Sequence, residues 1–477
     1  MANYEYDAVI VGSGPNGLAA AITLQRAGLS VLLIEGSDTI GGGMRSAELT
    51  MPGCLSDICS AIHPMAAGSP FFQELSLEQF GLEYINPPVL AAHPFDNGEA
   101  AVLNQSLKNT AELLGPDKNA YMELIGPVTE AWPRIAKDVL APLHLPKHPF
   151  DMIKFGLVAL QSGLNIAKRF KTPEAKGLLA GMSAHSLLPL DKLTTAAVGL
   201  VLMANGHLNG WPIPKGGSQQ LAGALGKYFE SLGGKVQTGW HVRSLNELPV
   251  AKAILFDVSP KQLLEIAGES FSGFYRWQLK KYKYGMGVFK VDWALDGPVP
   301  FTAAACREAG TVHVGGTIEE IAQSELLTAA GRITDKPFVL LAQQSLFDPG
   351  RAPEGKQVLW GYCHVPNGSN ADRVFAIENQ IERFAPGFRD RILARHTFNT
   401  MQLEKYDPNY VGGDINGGLM DIWQLFTRPA LRLSPYMTSA KGLYICSAST
   451  PPGGGVHGMC GHNAAKRALA DIWKVVI

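Results

Sequence analysis

The sequence predicts a two-lobed α/β protein in which a doubly wound parallel sheet is interrupted by a helical insertion and joined to a second lobe on a mixed sheet. Three observations predict it. An apolar run, Tyr6 to Val11, enters a glycine turn, a helix-like stretch and a second apolar run within about 30 residues, the smallest unit that specifies two parallel strands. Residues 103–200 alternate helical patterns with proline breaks and hold few strand-like runs. Residues 282–295, 311–316 and 338–343, with the stretch "KQVLWGYCHV", are β-rich and aromatic. A chain of 477 residues also exceeds what one hydrophobic core usually supports.

The elements follow in order. Tyr6 to Val11 lacks polar alternation, so it reads as a strand buried on both faces. "PNGLAAAITLQRAG" has the small and aliphatic spacing of a helix and stops at Gly28; "LSVLLIE" is the second buried strand. After the helical stretch, "PKGGSQQLAGALGKYFESLGGKVQTGWHVRSL" resumes the α/β rhythm with a glycine turn, an amphipathic helix, a Gly233-Gly234 stop and a strand carrying Val242. Near the end, "GLYICSAS" is a strand and "HGMCGHNAAKRALADIWKVV" a helix. The expected division is 1–100, 211–270 and 436–477 for the three parts of the parallel-sheet domain, 101–210 for the helical insertion and 271–435 for the mixed-sheet, substrate-binding domain.

Composition narrows the class. With 41 basic against 42 acidic side chains the net charge is -1, which gives no electrostatic footprint for nucleic acid. The six cysteines show no CxxC spacing, so the expectation is reduced thiols in the cytoplasm, with neither a metal centre nor a redox disulfide. No basic stretch precedes the first apolar run, and no run reaches the length of a membrane span, so neither a signal peptide nor a transmembrane helix is expected.

The chemistry is concentrated in glycine. Gly12-x-Gly14-x-x-Gly17, with Pro15 and Asn16 between, lies between the first strand and helix: Gly12 allows the tight turn, Gly14 lets a pyrophosphate approach the backbone and Gly17 lets helix and strand pack closely. Amide groups at the helix start face the anion. Glu35, at the end of the second strand and followed by Gly36, is placed to bind the hydroxyls of an adenosine ribose, which argues for FAD or NAD and against a 2′-phosphate. A second cluster, Gly41 to Gly43 followed by Met44 and Arg45, is more than a nicotinamide enzyme needs.

That second cluster resembles the extended fingerprint of the glutathione-reductase-type FAD proteins. The reading is therefore a Rossmann-like FAD-binding domain. With "GSGPNG", "GGGMR", "PKGGSQQLAGAL" and "CSASTPPGGGVHGMCG" taken together, the chain resembles over essentially its whole length the phytoene desaturase, or carotenoid oxidoreductase, family of FAD-dependent oxidoreductases. Within it, the likeness is to bacterial phytoene-dehydrogenase-like proteins related to pyridine nucleotide-disulfide oxidoreductase domain-containing protein 2. The resemblance implies that Gly42, Gly43 and Arg45 flank the pyrophosphate and ribityl chain, that the backbone of Val242 contacts adenine, and that Ser449, Gly455, Val456, His457 and Met459 lie at the flavin. Three departures separate this chain from the family: His457 stands where proline is usual, Ser447-Ala448-Ser449 where many related proteins carry an aspartate, and the hairpin between "HVRSL" and "AKAILFDVSP" is shortened.

Two residues are candidates for catalysis. His457 can supply a proton or a positive charge at the flavin edge, or it can simply be a hydrogen-bond partner at a helix entry. Asp414, in the glycine-rich "NYVGGDINGG", can accept a proton in the substrate cavity or hold a turn. No second glycine fingerprint follows the first, so oxygen or a quinone is the expected electron acceptor. The implied reaction is dehydrogenation, saturation or isomerisation of C–C bonds in a hydrophobic, polyene or isoprenoid-like molecule; a flavin amine oxidase and a non-catalytic flavin or lipid-binding scaffold are the alternatives. "PFDMIKFGLVALQSGLNIAKRFK", an apolar stripe with Lys154, Lys168, Arg169 and Lys171, reads either as a membrane-surface helix at the inner membrane or as ordinary core packing.

Overall fold

The two uninterrupted apolar runs at the start pair directly: Tyr6–Val11 and Val31–Ile34 lie parallel, with Ala8 opposite Val31 and Val11 opposite Ile34. This is seen in the computed structural model, which describes residues 4–476. Ala251–Phe256 pairs on the other side of the first strand and Leu443–Ile445 lies beyond it, while Lys235–Gln237 pairs with Val31–Ile34. All five strands are parallel, and the glycine turn lies at their carboxyl ends. Alternation along a strand explains the lack of polar residues: Ala8, Ile10, Val31 and Leu33 enter one core, and Val9, Val11, Leu32 and Ile34 enter another on the opposite face.

Helices Pro15–Arg26 and Met459–Ala468 cover one face of this sheet, so the two ends of the chain meet there. Their contact is close, because a Cβ on Gly461 would lie 1.7 Å from the carbonyl oxygen of Asn16. The second sheet has seven strands, in the order Ile392–Phe398, Gly287–Leu295, Gln357–Val365, Val339–Ala342, Ala309–Val314, Val89–Pro94 and Ala100–Leu103. It is mixed, since Ala309–Val314 runs parallel to Val89–Pro94 while the other pairs are antiparallel. Helices from Leu107–Leu113 to Thr195–Asn209 follow its last strand.

Two expectations need correction here. The strands Val89–Pro94 and Ala100–Leu103, expected within the first part of the parallel-sheet domain, belong to the mixed sheet: His93 and the aliphatic residues around it are buried against the strand Ala309–Val314, a partner more than 200 residues away. Val242 does not lie on a strand. Lys235–Gln237 ends before it, and Val242 is held in an irregular segment by burial against Val11, Ile34 and Phe256. None of the helices among the described residues is long and apolar enough to cross a membrane.

Candidate functional site

Where the first strand ends, the backbone turns through Gly12 at φ +97°, a conformation that a side chain would strain. Gly17 packs against that turn so tightly that a Cβ would lie 1.9 Å from the Gly12 carbonyl oxygen. Gly14 starts the helix Pro15–Arg26 and supplies no side-chain cap of its own; the Asp257 carboxylate takes the Gly17 N–H from below. The second glycine loop closes on the first: Gly41 donates its N–H to the Ser13 carbonyl at 3.1 Å, and a Cβ on Gly42 would lie 3.0 Å from the Gly14 Cα.

A single cavity of about 570 Å³, within the range of small-molecule sites, runs from these loops into the second lobe. Gly12, Gly14, Pro15 and Asn16 line its first end, with Glu35 and Gly36 beside them. Gly42, Gly43, Arg45 and Val242 continue the wall, and Ser449, Gly455 and Val456 line it from the C-terminal turn. The Glu35 carboxylate accepts from the Ser13 N–H at 3.0 Å, the Ser13 hydroxyl at 2.5 Å and the Ser37 N–H at 2.9 Å, so it is held in place at the end of its strand. Arg45 donates from Nε to the Gly42 carbonyl at 3.0 Å, and its guanidinium lies 4.5 Å from the centre of the Tyr406 ring.

Several expected site residues do not line the cavity. Gly17 serves helix-to-strand packing, and Met44 and Met459 are core residues. His457 is buried, and its Nδ1 accepts the Met459 N–H at 3.0 Å while its backbone N–H is donated to the Gly455 carbonyl at 2.9 Å. It is therefore the helix-entry partner and does not line the cavity; burial lowers it to about 4, so it is neutral at physiological pH. Asp414 is likewise a turn residue. Its carboxylate accepts from the Gly285 N–H at 2.6 Å and the Asn416 N–H at 2.8 Å, and it faces those amides while its neighbours Ile415, Asn416 and Gly417 face the cavity.

Other residues escaped the sequence reading. Asp257, at the carboxyl end of the strand Ala251–Phe256, accepts the Gly17 N–H at 2.8 Å beneath the glycine turn. Burial first, with the nearby Asp407 and Glu35 adding to it, pushes Asp257 up to about 8. A carboxyl that keeps its proton at neutral pH does not repel an anion in the turn. Its position at the C-terminal edge of a parallel sheet was the available signal. Lys290 and Asp292 form a buried ion pair on the strand Gly287–Leu295, and the ammonium lies 5.8 Å from the centre of the Trp360 ring in the cavity wall.

The two halves of the cavity differ in charge. All the acidic residues in its wall, Glu35, Asp257 and Asp407, belong to the glycine-loop half. The mixed-sheet half is built from Leu187, Leu202, Trp211, Leu340, Trp360 and Tyr362, with His63, His185 and Thr311 as polar members and no carboxylate.

The first half fits a dinucleotide on its own evidence. Its two glycine loops approach until a Cβ would fill the gap, no side chain of the turn itself caps the helix, and the buried Asn16 Oδ1 has no protein partner. Comparison with known proteins gives the group a name. Residues 16–258, just over half the chain, match the family described as flavin containing amine oxidoreductase. Pyridine nucleotide-disulfide oxidoreductase domain-containing protein 2 of Mus musculus is 27% identical over 98% of this chain and 94% of its own. A limonene dehydrogenase component from Castellaniella defragrans is 23% identical (98% and 95% covered), and a lycopene-forming phytoene desaturase of Pseudescherichia vulneris 24% identical (97% and 98% covered). In fold, an oxidoreductase from Methanosarcina mazei superposes with a TM-score of 0.64 at 16% identity, covering 96% of this chain and 98% of that one. A putrescine oxidase with putrescine bound superposes at 0.60 and 16% identity, with 98% and 99% covered. The chain belongs to the flavin-containing amine oxidoreductase family, and its cofactor is FAD.

Proposed function

We propose that this protein is an FAD-dependent oxidoreductase that dehydrogenates, saturates or isomerises C–C bonds in a neutral, hydrophobic molecule of polyene or isoprenoid type. The observation that carries this is the mixed-sheet half of the cavity: aliphatic and aromatic, with no carboxylate to receive a substrate cation. The names of two full-length relatives, a limonene dehydrogenase component and a phytoene desaturase, support the same class. In this reading Gly12, Gly14 and the helix start hold the pyrophosphate, with Arg45 as its positive charge and Glu35 on the adenosine ribose. Val242 lies at the adenine, and Gly454, Gly455 and Val456 present backbone to the flavin end. FAD supplies hydride acceptance when bound. The protein's part is to orient it, with Trp360 and Tyr362 keeping water from the reacting carbon. For dehydrogenation, oxygen or a quinone serves as electron acceptor; isomerisation needs none.

The family and the putrescine oxidase fold keep amine oxidation as a second reading. One experiment separates the two. Under anaerobic conditions the bound flavin should bleach on adding a polyene or terpenoid hydrocarbon and stay oxidised with putrescine or cyclohexylamine. Bleaching by the amines alone would overturn the proposal, and bleaching by neither would favour a non-catalytic flavin-bearing scaffold.

A lipophilic substrate also suggests where the protein works. Helix Pro149–Ala159 exposes Phe150 (79%), Ile153 (59%) and Leu157 (68%) on one face beside the exposed Lys154, which is more than a helix serving only the core needs. This face, with Leu145 exposed just before it, is proposed to rest on the cytoplasmic surface of the inner membrane. Sedimentation with anionic phospholipid vesicles should pull down the wild type and leave a Phe150→Ser, Leu157→Ser variant in the supernatant. Equal sedimentation of both would count against it.

A further inference from the structure

The mixed-sheet half of the cavity contains a histidine whose partner is sealed in the core. His185 follows the helix Pro173–Ala184 and lines the cavity, and its Nε2 lies 3.0 Å from the Nε2 of His313. His313 is fully buried on the strand Ala309–Val314. Two ring nitrogens at this distance share one proton, so one ring donates and the other accepts.

The far side of His313 decides which. Its Nδ1 is buried without a partner, under packing so close that a Cβ on Gly181 would lie 2.7 Å from it. A proton on that atom would be a buried donor with no acceptor, at a cost of about 1–3 kcal/mol, whereas an unpaired lone pair is better tolerated. The His313 proton therefore sits on Nε2 and is donated to His185. Both rings are neutral, because burial lowers His185 to about 3 and carries His313 well below the usual histidine range. A neutral His185 that accepts at Nε2 carries its own proton on Nδ1. No protein group among the described residues bonds that nitrogen.

We infer that His185 is a specificity-determining residue: it presents an imidazole N–H to the substrate end of the cavity, and the molecule bound there is apolar but carries one hydrogen-bond-accepting oxygen, a carbonyl or hydroxyl. His313 is its positioning residue, setting the tautomer. The inference rests on the proposed hydrophobic substrate class and narrows it, since a site with a committed donor discriminates against an analogue that lacks the acceptor.

The test uses FAD-loaded protein with ¹⁵N-labelled histidine and two probes, the isoprenoid ketone β-ionone and the hydrocarbon limonene. In the wild type, the His185 Nδ1 resonance is that of a protonated ring nitrogen and Nε2 that of a bare one. In His313→Leu the proton is shared between the two. The carbonyl stretch of bound β-ionone moves to lower frequency in the wild type and in His185→Gln, which keeps an N–H, but not in His185→Phe. Ketone binding, read from the flavin absorption spectrum, weakens about tenfold in His185→Phe while limonene binding is unchanged. A bare Nδ1 in the wild type, or equal weakening of both probes, overturns the assignment. If the Phe variant does not retain FAD, the wild-type nitrogen spectrum and the Gln variant decide. If the wild type binds neither probe but is bleached by an amine, the substrate class proposed above fails, and the His185 tautomer is still decided by the nitrogen spectrum alone.

Discussion

Arg351→Met destabilises the protein by about 3–5 kcal/mol, the cost of leaving a buried charge without its partner. Arg351 is fully buried and donates from Nη1 to Asp57 at 2.5 Å, from Nε to Asp348 at 3.0 Å and from Nη2 to the Pro214 carbonyl at 2.9 Å. Asp57, equally buried, also accepts the Ser46 hydroxyl and the Ser218 N–H, each at 2.7 Å. One ion pair thus ties the segment after the second glycine loop to the start of the helix Gln219–Ser231 and to the mixed-sheet lobe. Urea unfolding followed by tryptophan fluorescence measures the loss. Asp57→Asn in the Arg351→Met background should recover part of it, because asparagine is uncharged and still accepts from Ser218; no recovery would mean that packing, not charge, is what Arg351 provides.

The same pair sets a pH dependence. Burial alone would raise Asp57, but the Arg351 guanidinium and the two serine donors outweigh it and hold the carboxyl below the usual carboxylate range. A carboxyl with a lowered folded value contributes stability above its unfolded value of about 4 and loses it as pH falls through the folded value. Without Arg351 the buried Asp57 is raised, so the stability gap between wild type and Arg351→Met should be largest at high pH and close as pH falls and the variant's Asp57 takes up a proton. A gap that widened in acid would refute this account.

Gly17→Ala should yield protein without bound flavin. Its Cβ would lie 1.9 Å from a backbone oxygen of the turn, and neither the strand nor the helix can retreat without moving the loop that meets the pyrophosphate. Overpacking of this kind costs about 1–3 kcal/mol, and each 1.4 kcal/mol of it felt at the site weakens FAD about tenfold. Gly14→Ala should be milder, because its Cβ meets the Asp257 carboxylate oxygen at 2.7 Å, a side-chain atom that can shift. Glu35→Ala should retain less FAD than the wild type with little loss of fold. Flavin absorbance per mole of purified protein ranks the three; retention by Gly17→Ala equal to that of Gly14→Ala would refute the packing argument.

The glycine turn was legible because everything it needs is local. Strand, turn, helix and second strand fall within Tyr6–Ile34, and Gly17 packs on Gly12 only five residues away. The same holds for Glu35, which the end of its strand places at the site. His457 and Asp414 were conspicuous by type, yet local pattern does not set side-chain direction: each is turned to a backbone amide two residues on, at Met459 and Asn416, and away from the cavity. Asp257 looked like an ordinary acid after a strand, because its contact with Gly17 spans 240 residues.

From its residues alone this chain determined a parallel sheet with a dinucleotide-binding turn and a second lobe on a mixed sheet, because apolar runs and glycine spacings act over short stretches of chain; FAD followed from the resemblance of its glycine clusters to known FAD proteins. Only the tertiary structure decided that Val89–Pro94 joins the mixed sheet, that Arg351 answers Asp57, and that His313 fixes the proton of His185. Each depends on groups more than 100 residues apart brought together by packing, which no local pattern records.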